Sequence, residues 1–192
     1  MSLGPLNLLA DYPLVWLVSP GAAPQATLTP VVAESTPSGY VLRGHLPRRH
    51  PHVEILARQP EATILALGPN AYVSPSWLED LTQAPTWNYA ALKIDATVRL
   101  LTDAAETEAV LRDQIRRYEA SGLQPWSEAA MGPRFQSLAQ AVIAFEAHPT
   151  TTDARMKLGQ SDRDDVFRQS LTALEGHPIH TWMVDHNPGR RP

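Results

Sequence analysis

The sequence predicts an α+β fold in which an antiparallel barrel or open sheet is flanked by helices. Three observations point there. Leu92, Ile94, Ala96, Val98 and Leu100 alternate with Lys93, Asp95, Thr97 and Arg99, the period-two pattern of a strand with one face turned inward. The strand-like segments gather mainly in the first two thirds of the chain and the helices come late, which is not the regular βαβ alternation of a doubly wound sheet. The 18 prolines are scattered as turn and edge markers rather than drawn into a low-complexity tract, and no internal repeat is present.

Taken in order, residues 40–42 read as a short strand and residues 62–67 as an apolar run of buried-strand length. Residues 68–77 (Gly-Pro-Asn-Ala-Tyr-Val-Ser-Pro-Ser-Trp) read as a stiff loop that alternates small, proline-fixed residues with large rings. A second concentration of rings and amides, Pro85-Thr86-Trp87-Asn88-Tyr89, comes directly before the strand at 92–100. Asp103 with Glu106 resembles a capping box, and Leu111, Ile115 and Tyr118 then share a face of a helix ending before Gly122. Residues 139–147 read as a further strand. Ser161 with Asp164 repeats the capping device, followed by Val166, Phe167, Ser170, Leu171 and Leu174 before Gly176.

A chain of 192 residues with 43% hydrophobic content sits near the size one core can serve. A single domain over residues 1–192 is expected, with a helical segment from about residue 150. No window approaches the roughly 18 apolar residues of a spanning helix, and the N-terminus lacks the basic-then-apolar order of a signal peptide. A cytoplasmic protein without membrane contact is expected. The absence of cysteine excludes disulfides, thiolate nucleophiles, iron–sulfur clusters and Cys-ligated zinc. A formal charge of −4 gives no overall electrostatic footprint for phosphate backbones. Arg48–Arg49, Arg116–Arg117 and Arg190–Arg191 are local exceptions, and the last two pairs read as a solvated face and tail.

Several chemistries lack their patterns. There is no Walker sequence, no GxGxxG opening a helix, and no G-x-S-x-G elbow. His45, His50 and His52, and again His177, His180 and His186, are the residue type of a zinc site, but the first group touches two prolines and lacks a carboxylate run. No metal site is expected. The aromatic segment 68–89 remains the best ligand candidate, because rings can wall a flat molecule while Asn and Ser groups bond its edge. Core or dimer-interface packing of the same rings is the equal alternative from residue types alone.

The paired motif at 68–77 and 85–89 resembles that of the PaiB-type FMN-binding negative transcriptional regulators, in which a GPHxYxSPSWY stretch precedes a VPTWNY stretch. Gly44-His45-Leu46-Pro47-Arg48-Arg49-His50-Pro51 is similar to the family's GHLARANP segment, and Lys157-Leu158-Gly159-Gln160-Ser161 to its KLSQN segment. The resemblance runs from about residue 40 to 175. The sequence departs from it at Asn70, Leu78, His50, Leu92-Lys93, Gly159 and Ser161, and in the N-terminal third the family's tyrosine-rich start and early His-Leu-Pro segment are hardly recognisable.

This resemblance implies a split β-barrel, related to flavin reductases and pyridoxamine-phosphate oxidases, that dimerises and binds FMN near the subunit interface. Arg48 and Lys157 are then candidate phosphate partners. Trp77, Trp87, Asn88, Tyr89 and Gln160 would line or support the flavin pocket. A homodimer is also expected because the aromatic loop is too apolar to stay exposed. DNA enters by the family label alone, since no helix-turn-helix pattern is present. No general acid or base is assigned. The alternatives are a cofactor-free regulatory or interaction dimer and a flavin-dependent oxidoreductase of unknown substrate.

Overall fold

Proline at the first helical position opens four of the six α-helices among the described residues, where its fixed φ suits the turn and its missing N–H costs nothing. Four of the scattered prolines, Pro5, Pro51, Pro133 and Pro178, are therefore helix starters. The computed structural model describes residues 4–190 except 22, 38, 121, 123 and 125. The elements are α1 (Pro5–Asp11), β1 (Leu14–Ser19), β2 (Gln25–Thr36), β3 (Gly39–Pro47), α2 (Pro51–Arg58), β4 (Glu61–Val73), β5 (Thr86–Leu101), α3 (Ala104–Glu119), α4 (Pro133–Ala139), β6 (Val142–Lys157), α5 (Asp164–Ala173) and α6 (Pro178–Asp185). Short 3₁₀ turns lie at Pro75–Trp77 and Glu128–Met131. The strands form a closed barrel in the order β1-β2-β3-β6-β5-β4. The expected split barrel with flanking helices is the observed fold.

The described residues divide into two compact units, one taking 13–65 and 93–152 and the other the remainder. In the first, β1 pairs antiparallel with β2, β2 with β3 and β3 with β6. Val15, Leu17, Val31, Leu42 and Phe145 fill the interior. Thr29 is buried because its Oγ1 donates to the His45 carbonyl at 2.8 Å. His50 caps α2, its Nδ1 accepting from the His52 amide at 3.2 Å. The His52 ring is fully buried between the Ser19 and Thr27 hydroxyls, each 2.8 Å from one ring nitrogen. Burial, reinforced by neighbouring His50, pushes the His52 imidazole below its ordinary pKa.

Asp103 caps α3 as expected, its Oδ1 accepting from the Ala105 and Glu106 amides. The buried face of α3 differs from the expected one: Thr107, Val110 and Gln114 turn inward in place of Leu111, Ile115 and Tyr118. Gln114 can be buried because His45 Nδ1 donates to its Oε1 at 2.7 Å and its Nε2 donates to the Pro30 carbonyl at 3.1 Å. Tyr118 instead donates its hydroxyl to the Val31 carbonyl at 3.1 Å. Across β2, β3, β6 and β5 to α3 a ladder of ion pairs runs from Glu34 to Arg43, Glu146, Arg99 and Glu106.

In the second unit the region read as a loop from residue 68 is strand as far as Val73. Its inward residues are even-numbered through Gly68 and odd-numbered from Pro69, so Ala71 and Val73 are buried while Tyr72 faces out. Gly68 is required there: a Cβ would lie 2.9 Å from Leu8 Cδ1 and 3.1 Å from the Ala90 carbonyl oxygen. Likewise Thr86–Tyr89 belongs to β5 rather than preceding it. Two boundaries near the end also change. Strand β6 begins at Val142 after a helix and runs to Lys157, so the helical segment expected from about 150 starts only at Asp164. Arg163, not Ser161, is the residue before α5, and it makes no side-chain cap.

Candidate functional site

The aromatic candidates lie in the second unit. Alternation along β5 turns Trp87 and Tyr89 away from the core and Asn88 into it. Asn88 is buried, and its Nδ2 donates to Met183 Sδ on α6 at 3.7 Å. Trp87 is 53% exposed and Tyr72 44%, and their rings meet edge to face with centroids 6.0 Å apart at 62°. Trp77 ends the 3₁₀ turn, which Ser74 caps by accepting from the Ser76 amide at 3.2 Å.

The loop after Trp77 is tied to α5. The Glu79 amide donates to Gln169 Oε1 at 2.7 Å, and Arg163 Nη1 donates to Asp80 Oδ2 at 3.0 Å. Hydrogen bonds from Thr82 and Gln83, with a further one from Arg163, hold the Asp80 carboxyl well below the usual carboxylate range. The pairing with Arg163 likewise lowers Asp165 to about 2.

Lys157 ends β6, and its Nζ donates to Thr86 Oγ1 at 2.5 Å at the start of β5. The exposed ammonium thus stands at the residue next to Trp87. The Gln160 side chain closes its own turn, accepting from the Leu158 amide at 2.8 Å and donating to the Met156 carbonyl. Of the seven candidates, Trp77, Trp87, Asn88, Tyr89, Lys157 and Gln160 fall in this unit and Arg48 in the other. Arg48 is exposed, its backbone amide donating to the Ala141 carbonyl at 2.9 Å and its Nε to the Gln140 carbonyl at 3.1 Å. Thr86 and Tyr72, which touch the candidates Lys157 and Trp87, were not singled out from the sequence. The signal for Thr86 was its place beside Trp87, and for Tyr72 its place in the first motif.

Five of the six candidate histidines, His45, His50, His52, His177 and His186, have side-chain partners in the fold. His177 caps α6 as His50 caps α2, accepting from the Ile179 amide at 3.2 Å, and each is followed by proline. His186 stacks on Trp182 with centroids 5.8 Å apart. Among the described residues no three His, Asp or Glu side chains are grouped as a metal would need. No helix of the described residues is long and apolar enough to cross a membrane. Arg116 and Arg117 both pair with Asp113. Arg190, expected in a solvated tail, is instead deeply engaged with Asp164 and the turn before α5, while Arg191 lies outside the described residues.

A family profile described as "Putative FMN-binding domain" matches residues 5–151. It takes in the stretch ahead of residue 40, where the resemblance had not begun, and stops before Lys157. The Bacillus subtilis "Protease synthase and sporulation protein PAI 2" is 23% identical over 153 residues, covering 79% of this chain and 73% of that protein. Among solved structures, the FAD and heme binding protein from Mycobacterium smegmatis is similar with a TM-score of 0.59 and 14% identity, covering 86% of this chain and 74% of that one. The flavocytochrome Anf3 from Azotobacter vinelandii is similar with a TM-score of 0.58 and 15% identity, covering 82% of this chain and 69% of that one. At such identities the structural likeness speaks for the fold, and the profile, spanning most of the chain, speaks for the family. The chain belongs to the FMN-binding, PaiB-like domain family, on a split-barrel fold.

Proposed function

We propose that this chain binds FMN, with Lys157 meeting the phosphate and the outward rings of Trp87, Tyr89 and Trp77 lining or supporting the flavin. The observation that carries the reading is an exposed ammonium, bonded to the Thr86 hydroxyl, one residue from an exposed ring pair. Thr86 and Trp87 point to opposite faces of the pleat. FMN accommodates this, because its ribityl chain separates the phosphate from the ring by several bonds. Asn88 and Gln160 hold the site rather than touch the ligand, since their amides are taken up by Met183 and by the turn. Arg48 is a separate candidate for the phosphate. Bound FMN would supply the redox chemistry, and the chain's share is to orient it and set the charge around it.

The reading extends to a homodimer. Trp16 lies opposite Leu28 on β2 and opposite Leu65 on β4, and all three side chains are exposed. Such a row of apolar groups on the outside of a closed barrel favours burial against a second copy. A regulatory role, with or without cofactor, is supported by the likeness to PAI 2. Gel retardation of the chain's own upstream DNA across salt concentrations tests it, and absence of specific retardation removes it.

The test of FMN binding is the absorbance spectrum of the purified protein, followed by titration with FMN and riboflavin. Flavin bands released on denaturation are expected. Lys157→Ala removes a charge-assisted bond of about 1.5–3 kcal/mol and should weaken FMN roughly tenfold or more while leaving riboflavin nearly unchanged. The Arg48→Ala variant in the same titration decides whether that guanidinium shares the phosphate. A colourless protein that takes up no added FMN would sink the reading.

A further inference from the structure

Four backbone carbonyls of the turn between β6 and α5, those of Leu158, Gly159, Gln160 and Asp162, accept hydrogen bonds from the side chains of Asn187 and Arg190. Asn187 is buried, and its Nδ2 donates to the Leu158 carbonyl at 3.0 Å and to the Met183 carbonyl at 2.8 Å. Arg190 Nη1 donates to the Gly159 carbonyl at 3.0 Å and the Gln160 carbonyl at 3.3 Å, and Nη2 donates to the Asp162 carbonyl at 2.5 Å. Its Nε donates to Asp164 Oδ1 at 2.8 Å, and the guanidinium lies 4.4 Å over the Phe167 ring. A planar fork with five donors suits this arrangement, whereas a lysine ammonium could meet only part of it.

The turn needs such restraint. Gly159 has φ +83°, a conformation that costs a non-glycine residue, and a Cβ there would lie 2.8 Å from the Phe167 ring. The turn departs directly from Lys157 and contains Gln160, whose side chain folds back onto Met156 and Leu158. Whatever fixes residues 158–162 therefore fixes the backbone from which the Lys157 ammonium is presented.

We infer that Arg190 and Asn187 are positioning residues for Lys157: they clamp the following turn in one conformation and so preset the cation for the phosphate of FMN. This inference rests on the FMN reading above. Preset geometry matters because a flexible lysine that must be ordered on binding loses part of what its charge contributes.

The experiment compares wild type, Arg190→Ala, Arg190→Lys, Lys157→Ala and the double variant Arg190→Ala with Lys157→Ala, each titrated with FMN and riboflavin. Wild type should prefer FMN. Arg190→Ala should cut that preference about threefold or more at nearly constant riboflavin affinity, with Arg190→Lys in between. Because Arg190 acts through Lys157, the double variant should lose little beyond Lys157→Ala alone. Amide exchange at residues 158–162 should quicken in Arg190→Ala. An unchanged FMN preference in Arg190→Ala, or effects that simply multiply in the double variant, would overturn the clamp while leaving the FMN reading intact. A wild type that fails to prefer FMN to riboflavin would overturn the phosphate role of Lys157, and this inference with it.

Discussion

Replacing Glu146 by glutamine keeps the shape of the side chain and removes the charge at the centre of the ion-pair ladder. The Glu146 side chain is only 12% exposed, accepting from Arg43 Nε at 3.0 Å and from Arg99 Nη2 at 2.9 Å. A hydrogen bond to a charged group contributes about 1.5–3 kcal/mol. The two arginines do not count equally. Arg99 is more than half exposed, so solvent screens its share to less than about 1 kcal/mol, and Arg43 keeps Glu34 as a partner. A net loss of about 2 kcal/mol is expected, which for a chain of this size lowers Tm by roughly 4–8 °C.

The pH dependence gives the sign. Burial pushes the Glu146 carboxyl up, but the bonds and charges of Arg99 and Arg43 outweigh it and hold the group below its ordinary value. Stability from a depressed carboxyl is full above its unfolded pKa, about 4.3, and is lost as pH falls through the folded pKa. Urea denaturation of wild type and Glu146→Gln should therefore differ most near pH 7 and converge in acid, once the pH has fallen below the lowered pKa of the folded state. A difference under about 0.5 kcal/mol at pH 7, or one that persists unchanged into acid, would refute the ladder's role.

Gly68→Ala should destabilise by about 1–3 kcal/mol in urea denaturation, because the new methyl meets Leu8 and the Ala90 carbonyl; a neutral result would mean that α1 yields freely. Trp16→Arg should convert a dimer to a species with a mass near 21.1 kDa by light scattering, and a wild type already at that mass removes the proposed interface.

The sequence was legible where polar and apolar residues take opposite faces. Strand β5 declared itself because Leu92, Ile94, Ala96 and Val98 are buried between Lys93, Thr97 and Arg99, although the alternation ends with Leu101 rather than Leu100 inward. Strand β1 was missed for the opposite reason. Its inner Val15 and Leu17 alternate with outer Leu14 and Trp16, so both faces are apolar and no period shows. In α3 the inward positions include Thr107 and Gln114, whose hydrogen bonds no hydropathy pattern reveals. The histidine caps could have been read from the repeated His-Pro pair at 50–51 and 177–178, an acceptor followed by a helix-starting proline. As for the candidate site, the two motifs drew attention to rings that the fold leaves partly exposed, but not to Thr86 as the partner of Lys157, which β5 and β6 together supply.

The change of parity at Gly68–Pro69 bears on how β4 finds its place. A strand of unbroken alternation can slide by two residues along its neighbour with every side chain still on its proper face. Strand β4 has no such freedom, because sliding would carry the irregular step to a new position and turn Ala71 or Val73 toward water. The step works as an index mark on a ruler: it assigns each residue beyond it one location, and with that location Tyr72 comes to rest against Trp87.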